Sequence, residues 1–388
     1  MFRIIRHVCI WSSRGDQALP FSMEQSPGIP LTVISFRPAS RAVSCSREVL
    51  QVCTPPPYKV EDVVFQNGAI TVAGTLTVPR SSGKHPVIIL ITGSGAQNRE
   101  EEILGFKPFR ILADHLTRQG VAVLRCDDRG VGGSTGSIAQ STIEDFAGDM
   151  SAALRLLKSR TDINPAQIGL LGHSEGAEVA GLLASEGRDV AFVVFMAGPA
   201  APGDRIILSQ LEAINRARGV PEDQIARDTA LEGRVFESIR SDTGWEDIAG
   251  DLRKAIRADM QTEVQNLPPD QRKSVPDFDS IAQARDEEQI AAAKTRWFRH
   301  LIDFDPVAVL SEVRCPALAL NGEKDMQVSP GLNREQMETA LRRAGNRDYT
   351  LKTVAGANHL FQTAKTGTPF EYAMLKKEFV PGFLDYCF

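Results

Sequence analysis

Gly172-His173-Ser174-Glu175-Gly176 lies between the apolar run Ile168-Gly169-Leu170-Leu171 and a helix-patterned run from Glu175 to Ser185. The order is strand, tight turn, helix, with a serine at the apex. A serine hydroxyl is a weak nucleophile unless a base takes its proton, and it must stand clear of the backbone. A sharp strand-to-helix turn presents it that way. Glycines two residues to either side leave room for a strained turn and for close approach of neighbouring chain. The pentapeptide alone decides little. A base, a carboxylate to orient it and donors for an oxyanion must be found elsewhere in the chain.

The chain is long enough to supply them. Its 388 residues, 42% apolar, can bury one large core or two modest ones. A net charge of −5 with no long basic run leaves no footprint for nucleic acid. Cys9, Cys45, Cys53, Cys126, Cys315 and Cys387 are scattered, without a CxxC pair or metal-ligand spacing, so reduced thiols and no metal are expected. No apolar run reaches the roughly 18 residues of a membrane span. At the N-terminus, Arg6 and His7 interrupt a short apolar patch, and no small-residue cleavage site follows closely. A cytoplasmic protein is expected, with secretion through an atypical signal as the alternative. Residues 1–57 carry scattered Arg, Ser and Pro and end in Pro55-Pro56-Pro57, the texture of a flexible N-terminal extension.

From Tyr58 the pattern becomes regular. Val60 to Gln66 and Ile70 to Val78 read as two strands joined at Asn67-Gly68. Pro86 to Ile91 is a continuous apolar run, as in a strand buried on both faces of a parallel sheet. A helix with Phe109, Leu112, Ala113 and Leu116 on one face stops at Gly120, and Val121 to Cys126 is the next strand. A helix capped by Thr142 runs to Arg160. The elbow strand and helix follow, then a strand over Val190 to Met196. Between residues 201 and 305 the strand signal vanishes in favour of charged, helix-periodic sequence, broken at Gly219-Val220-Pro221, Leu267-Pro268-Pro269 and Val275-Pro276. Alternation then resumes with a strand at Ala317 to Leu320, a helix from Pro330 to Ala344, a strand at Tyr349 to Val354 and a last helix near Glu371 to Asp385. The fold class is therefore α/β, with a mostly parallel central sheet flanked by helices. The core comprises residues 58–200 and 306–388, and residues 201–305 form a helical insertion within it.

Six histidines allow the base to be sought by elimination. His7 lies in the extension, His85 at the base of a strand, His115 within a helix, and His300 in the insertion. His173 is the variable residue of the pentapeptide. His359 alone occupies a glycine-containing loop directly after a sheet strand, in Gly356-Ala357-Asn358-His359-Leu360. The orienting carboxylate is expected at the C-terminal end of a neighbouring strand, where the serine stands. Asp325 meets that condition, with Glu323 as the alternative, while Asp303 and Asp305 precede the strand. One oxyanion donor is expected from the backbone N–H of Glu175, at the positive end of the elbow helix. The second is expected from the loop after the Val87 to Ile91 strand, at Ser94 N–H, or at Gly95 N–H as the fallback. Asp127-Asp128-Arg129-Gly130-Val131-Gly132-Gly133 lacks the spacing of a phosphate loop and reads as a turn shaping the site wall, so no cofactor is expected.

Together these residues resemble the α/β-hydrolase superfamily, and closely its branch of GHSEG carboxylesterases with an inserted helical cap. The resemblance covers about Tyr58 to Phe388. It is carried by ITGSGAQNRE (Ile91 to Glu100), DDRGVGGSTG (Asp127 to Gly136), GHSEG, NGEKD and GANHLFQTAKTGTPFEY (Gly356 to Tyr372). The order Ser174, Asp325, His359 is the triad order of that superfamily. What the resemblance implies is cofactor-free hydrolysis of a small-molecule substrate, a short- to medium-chain acyl ester. Similar elbows occur in aminopeptidase-like and dienelactone-hydrolase-like enzymes, so amide or thioester cleavage is the alternative within enzymes. A silent α/β-hydrolase fold that binds a ligand or partner is the alternative outside them.

Overall fold

The computed structural model describes residues 55–187, 189–265 and 278–387. It also gives the backbone of two N-terminal strands, β1 (Phe2–Ile5) and β2 (Val8–Trp11), which pair antiparallel. The rest of the expected extension lies outside the described residues, as do the breaks at Leu267-Pro268-Pro269 and Val275-Pro276.

The main sheet has eight strands: β3 (Tyr58–Asn67), β4 (Ile70–Pro79), β5 (His85–Ile91), β6 (Ala122–Cys126), β7 (Ile163–His173), β8 (Phe192–Met196), β9 (Ala317–Gly322) and β10 (Tyr349–Val354). Their order across the sheet is β10-β9-β8-β7-β5-β6-β4-β3. The pairings β3–β4 and β4–β6 are antiparallel and the others parallel, so β4 alone runs against the rest. After β5 the chain steps to β6 on one side and then back across to β7 on the other. The loops leaving β5 and β7 therefore diverge over a shared crevice at the C-terminal edge, the favoured place for a ligand in a doubly wound sheet.

The apolar run in β5 is continuous because both faces are covered. Val87, Ile89 and Ile91 pack in one layer with residues of α2 (Ile143–Ser159) and α3 (Glu175–Glu186), among them Ala153, Leu157, Val179 and Leu183. Ile88 and Leu90 face the other layer, against Phe109, Leu112 and Leu116 of α1 (Pro108–Arg118). Each such side chain contributes about 1.5–3 kcal/mol of burial energy. The helix ends follow local chemistry. Thr142 and Asp145 form a reciprocal capping box on α2, and Gly120 turns the chain out of α1 at φ 96°.

Between β8 and β9 the described residues form the helices α4 (Gly203–Ala217), α5 (Glu222–Ser241), α6 (Trp245–Gln265), α7 (Phe278–Ala293) and α8 (Arg296–Asp303), with the short α9 (Pro306–Leu310) leading back to the sheet. These helices have an apolar core of their own, including Ile207, Phe236, Ile239, Leu252 and Phe298. They are also tied to the sheet layer. Arg296 Nη1 donates to Asp145 Oδ2 at 2.7 Å and Trp297 Nε1 donates to Glu175 Oε1 at 2.7 Å.

The helix expected near Glu371 to Asp385 does not form. Two 3₁₀ turns, Pro369–Met374 and Leu384–Cys387, flank irregular chain instead. Pro381-Gly382 breaks the pattern, with Gly382 at φ 80°. Val380 N–H donates to Phe361 O at 2.8 Å, and Phe379 and Phe383 stack in the core with ring centroids 4.5 Å apart. Tertiary contacts spend the apolar residues here on an irregular strap.

Candidate active site

Ser174 joins the end of β7 to the start of α3 with φ 52° and ψ −121°, outside the regions that non-glycine residues ordinarily adopt. Both flanking glycines are required by close approach. A Cβ at Gly172 would lie 2.0 Å from Gly176 O, and one at Gly176 would lie 2.2 Å from Ile91 O. The elbow helix is thus wedged directly against the end of β5. Ser174 N–H donates to Met196 O at 2.9 Å, which fixes the turn to β8.

His359 and Asp325 arrive from the loops after β10 and β9. His359 Nδ1 lies 2.8 Å from Asp325 Oδ2, and both side chains are buried. The other carboxylate oxygen accepts from Gln327 N–H at 2.8 Å and Val328 N–H at 2.9 Å, which fixes its orientation. An ionised carboxylate only accepts, so Nδ1 carries a proton and Nε2 is the nitrogen left to take one. The alternative carboxylate, Glu323, points elsewhere and accepts from Gly356 N–H at 2.7 Å. Asp303 pairs with Arg240 and Asp305 caps α9. Ser174 and His359 line one cleft, which encloses about 790 Å³ of empty space, part of it open to solvent.

Ser94 lines this cleft, whereas Gly95 borders a neighbouring one on the Asp127-Asp128 side. Gly93 N–H is already committed to Glu101 Oε1 at 2.8 Å. The Asp127 to Gly133 turn is the anchor of this loop. Asp128 accepts from Thr92 Oγ1 at 2.5 Å and from Gln97 N–H at 2.8 Å, and Asp127 pairs with the Arg99 guanidinium at 2.6 Å. A Cβ at Gly132 would lie 2.3 Å from Asp127 Oδ2, so the turn closes tightly over its own carboxylate.

Glu175, read from sequence as a backbone donor at the start of α3, has a buried side chain held by the Trp297 indole. Burial pushes its carboxyl up to about 7 from an ordinary 4.5, against the lowering effect of the indole N–H. An acid raised in the folded state makes the fold fully stable below its unfolded value and less stable as pH rises through the folded one. Glu175→Gln is therefore expected to remove a loss on the order of 3 kcal/mol between pH 4.5 and about 7, read as a flatter urea-unfolding profile across that window.

A second histidine–carboxylate pair lies beneath the serine. His173 Nδ1 is 2.7 Å from Glu101 Oε1 and Nε2 is 3.0 Å from the backbone oxygen of His359. Both nitrogens of His173 are thus engaged away from Ser174. Burial alone would lower the His173 imidazole, but the facing carboxylate and the two hydrogen bonds carry it above its ordinary value. Nothing local in sequence marks this pair, whose members are 72 residues apart.

The fold and this arrangement define the chain as an α/β-hydrolase. A family model described as "Serine aminopeptidase, S33" matches residues 107–363, and the chain belongs to that family. It is 25% identical over 331 residues to esterase EstD of Thermotoga maritima, a match covering 82% of this chain and 67% of that one. Among solved structures, the esterase Pf2001 of Pyrococcus furiosus has a TM-score of 0.47 at 15% identity, covering 77% of this chain and 83% of its own. A proline iminopeptidase of Mycobacterium smegmatis has a TM-score of 0.47 at 17% identity, covering 77% and 92%. Among the described residues, no helix is long and apolar enough to cross a membrane.

Proposed function

We propose that the chain is a serine carboxylesterase acting on short- to medium-chain acyl esters. The observation that carries this reading is the buried Asp325–His359 pair opening onto the same cleft as a serine held at φ 52°. In this mechanism Ser174 Oγ attacks the ester carbonyl as His359 Nε2 takes its proton. Asp325 holds the imidazole and stabilises its charged form. The tetrahedral oxyanion is received by the N–H groups of Glu175 and Ser94, with Gly95 as the fallback, each donor supplying about 3 kcal/mol. His359 then passes the proton to the leaving alcohol. Water, activated by the same histidine, releases the acid from the acyl-enzyme. The helices of residues 201–305 act as a cap. Ile206 and Ile207 of α4 and Trp297 and Leu301 of α8 line the cleft and form the apolar wall for the acyl chain. Among the described residues Cys126 and Cys315 are free thiols, in keeping with a cytoplasmic enzyme.

The test is labelling by a fluorophosphonate, which needs an activated serine, followed by a series of p-nitrophenyl esters. Labelling at Ser174 and a kcat/KM maximum between butyrate and octanoate are expected. Absence of labelling would favour a silent fold, and a maximum at palmitate would overturn the chain-length reading. The family's aminopeptidase description favours amide cleavage by the same residues as the second reading. Matched ester, anilide and acyl-CoA substrates separate the three chemistries, with the ester expected to turn over fastest.

A further inference from the structure

Two cavities meet at the serine elbow. Beside the cleft that holds Ser174, a second one encloses about 550 Å³ of empty space, part of it open to solvent. Gly93 and Glu175 line both, so the loop after β5 and the first residue of α3 form the wall between them. The second cavity has apolar sides from Val72 of β4, Phe146 and Met150 of α2, Val179 of α3 and Ile138 of the turn before α2. Phe146 packs against both the sheet layer and the core of the inserted helices, which places the cavity where the two meet. Its charged groups are already satisfied. Asp128 accepts from Thr92 Oγ1 and Gln97 N–H, and Asp127 from Arg99 and Gly133 N–H. Asp149 pairs with Arg129, whose three guanidinium nitrogens all donate. What remains for an occupant is apolar surface. Burial also holds the Asp128 and Glu175 carboxyls above their ordinary values, so below about pH 7 the wall is largely uncharged.

The wall is pinned from the side of the inserted helices. Trp297 of α8 lines the Ser174 cleft and not the second cavity, and its indole N–H donates to Glu175 Oε1 at 2.7 Å. Both side chains are 6% exposed, and Arg296 beside the indole ties α8 to Asp145 of α2. We propose that the second cavity is a closed extension of the acyl pocket, shut off by the Glu175–Trp297 hydrogen bond, so that this pair sets the upper limit of acyl-chain length. Chains up to octanoate stay within the Ser174 cleft, and longer ones must pass the wall. The ligand class of the extension is a linear alkyl chain, because its lining offers no free hydrogen-bonding group to anything more polar.

The extension rests on the esterase reading for its effect on turnover but not for binding, and two measurements separate them. The first readout is kcat/KM for p-nitrophenyl laurate relative to butyrate, a ratio that partial unfolding leaves in place because it lowers both values. Glu175→Ala removes the shared wall but keeps its backbone N–H, and is expected to raise the ratio at least about tenfold. Trp297→Leu releases the carboxyl and should raise the ratio in the same direction, which keeps the test open should Glu175→Ala misfold. Glu175→Gln preserves the wall and an acceptor for the indole, so its ratio should match that of the unaltered protein. Ile138→Trp fills the second cavity and should cancel the gain when added to Glu175→Ala. The second readout is calorimetric titration of Ser174→Ala protein with 1-hexanol and 1-decanol. Its preference for 1-decanol is expected to grow at least about tenfold when Glu175→Ala is added. A ratio unmoved in both wall variants, an equal gain in Glu175→Gln, a gain that survives Ile138→Trp, or an unchanged alcohol preference would overturn the extension. Failure of every ester to turn over would overturn the esterase reading, with calorimetry still deciding the extension.

Discussion

Ser174→Ala is expected to lower p-nitrophenyl butyrate turnover by about 10⁴- to 10⁶-fold while leaving the urea-unfolding midpoint close to that of the unaltered protein. The size of the kinetic loss follows from the role assigned to the hydroxyl. Without Oγ no acyl-enzyme can form, and the remaining acceleration comes only from oxyanion donors and substrate positioning. The neutral effect on stability follows from the backbone. Alanine keeps the Cβ that makes φ 52° unfavourable, and no hydrogen bond of the Ser174 hydroxyl supports the fold. Ser174→Gly is the complementary case. Glycine adopts this conformation without the Cβ penalty, so the variant should be equally inactive yet more stable, by on the order of 1 kcal/mol after its greater unfolded-state entropy. An elbow strained for function thus yields stability when function is removed. Retained turnover in Ser174→Ala would sink the mechanism, and a lowered midpoint in Ser174→Gly would sink the strain argument.

Much of this fold was legible because its determinants are local. The six apolar residues of 86–91 require cover on both faces, and the structure supplies it with α1 on one side and α2 and α3 on the other. Thr142 and Asp145 mark the start of α2 by a contact three residues long. The loop placement of His359 and Asp325 could be read because each follows a strand, and a parallel sheet gathers such loops at one edge. What escaped reading depends on partners far along the chain. Residues 371–385 have enough apolar content for a helix, but Pro381-Gly382 and the docking of Phe379 and Phe383 draw the segment into a strap. Glu175 reads as an ordinary first-turn acid, and only the fold places Trp297, 122 residues later, over its carboxyl.

The largest effect on stability is expected at Glu101 and His173. Oxygen acceptors face both nitrogens of His173: a Glu101 oxygen at 2.7 Å and the His359 carbonyl at 3.0 Å. With Glu101 as a carboxylate, both nitrogens must carry protons, and a buried imidazolium–carboxylate pair results. The same Glu101 oxygen accepts from Gly93 N–H, so the pair binds together the loop after β5, the serine elbow and the backbone of His359. Removing one partner leaves a buried charge or acceptor alone. Glu101→Leu and His173→Phe are each expected to cost about 3–5 kcal/mol, whereas the double variant should cost clearly less than their sum. The pH dependence has a definite sign. The His173 value is raised in the folded state, so its contribution is complete below the unfolded value, about 6.5, and is lost as pH climbs through the raised one. The unaltered protein should therefore lose stability at alkaline pH relative to the double variant. Turnover should fall in each single variant as well, because the His359 backbone loses its His173 anchor and the altered side chains line the cleft. Strict additivity of the two single variants, with no pH-dependent difference between the double variant and the unaltered protein, would show that the pair acts as two independent buried side chains.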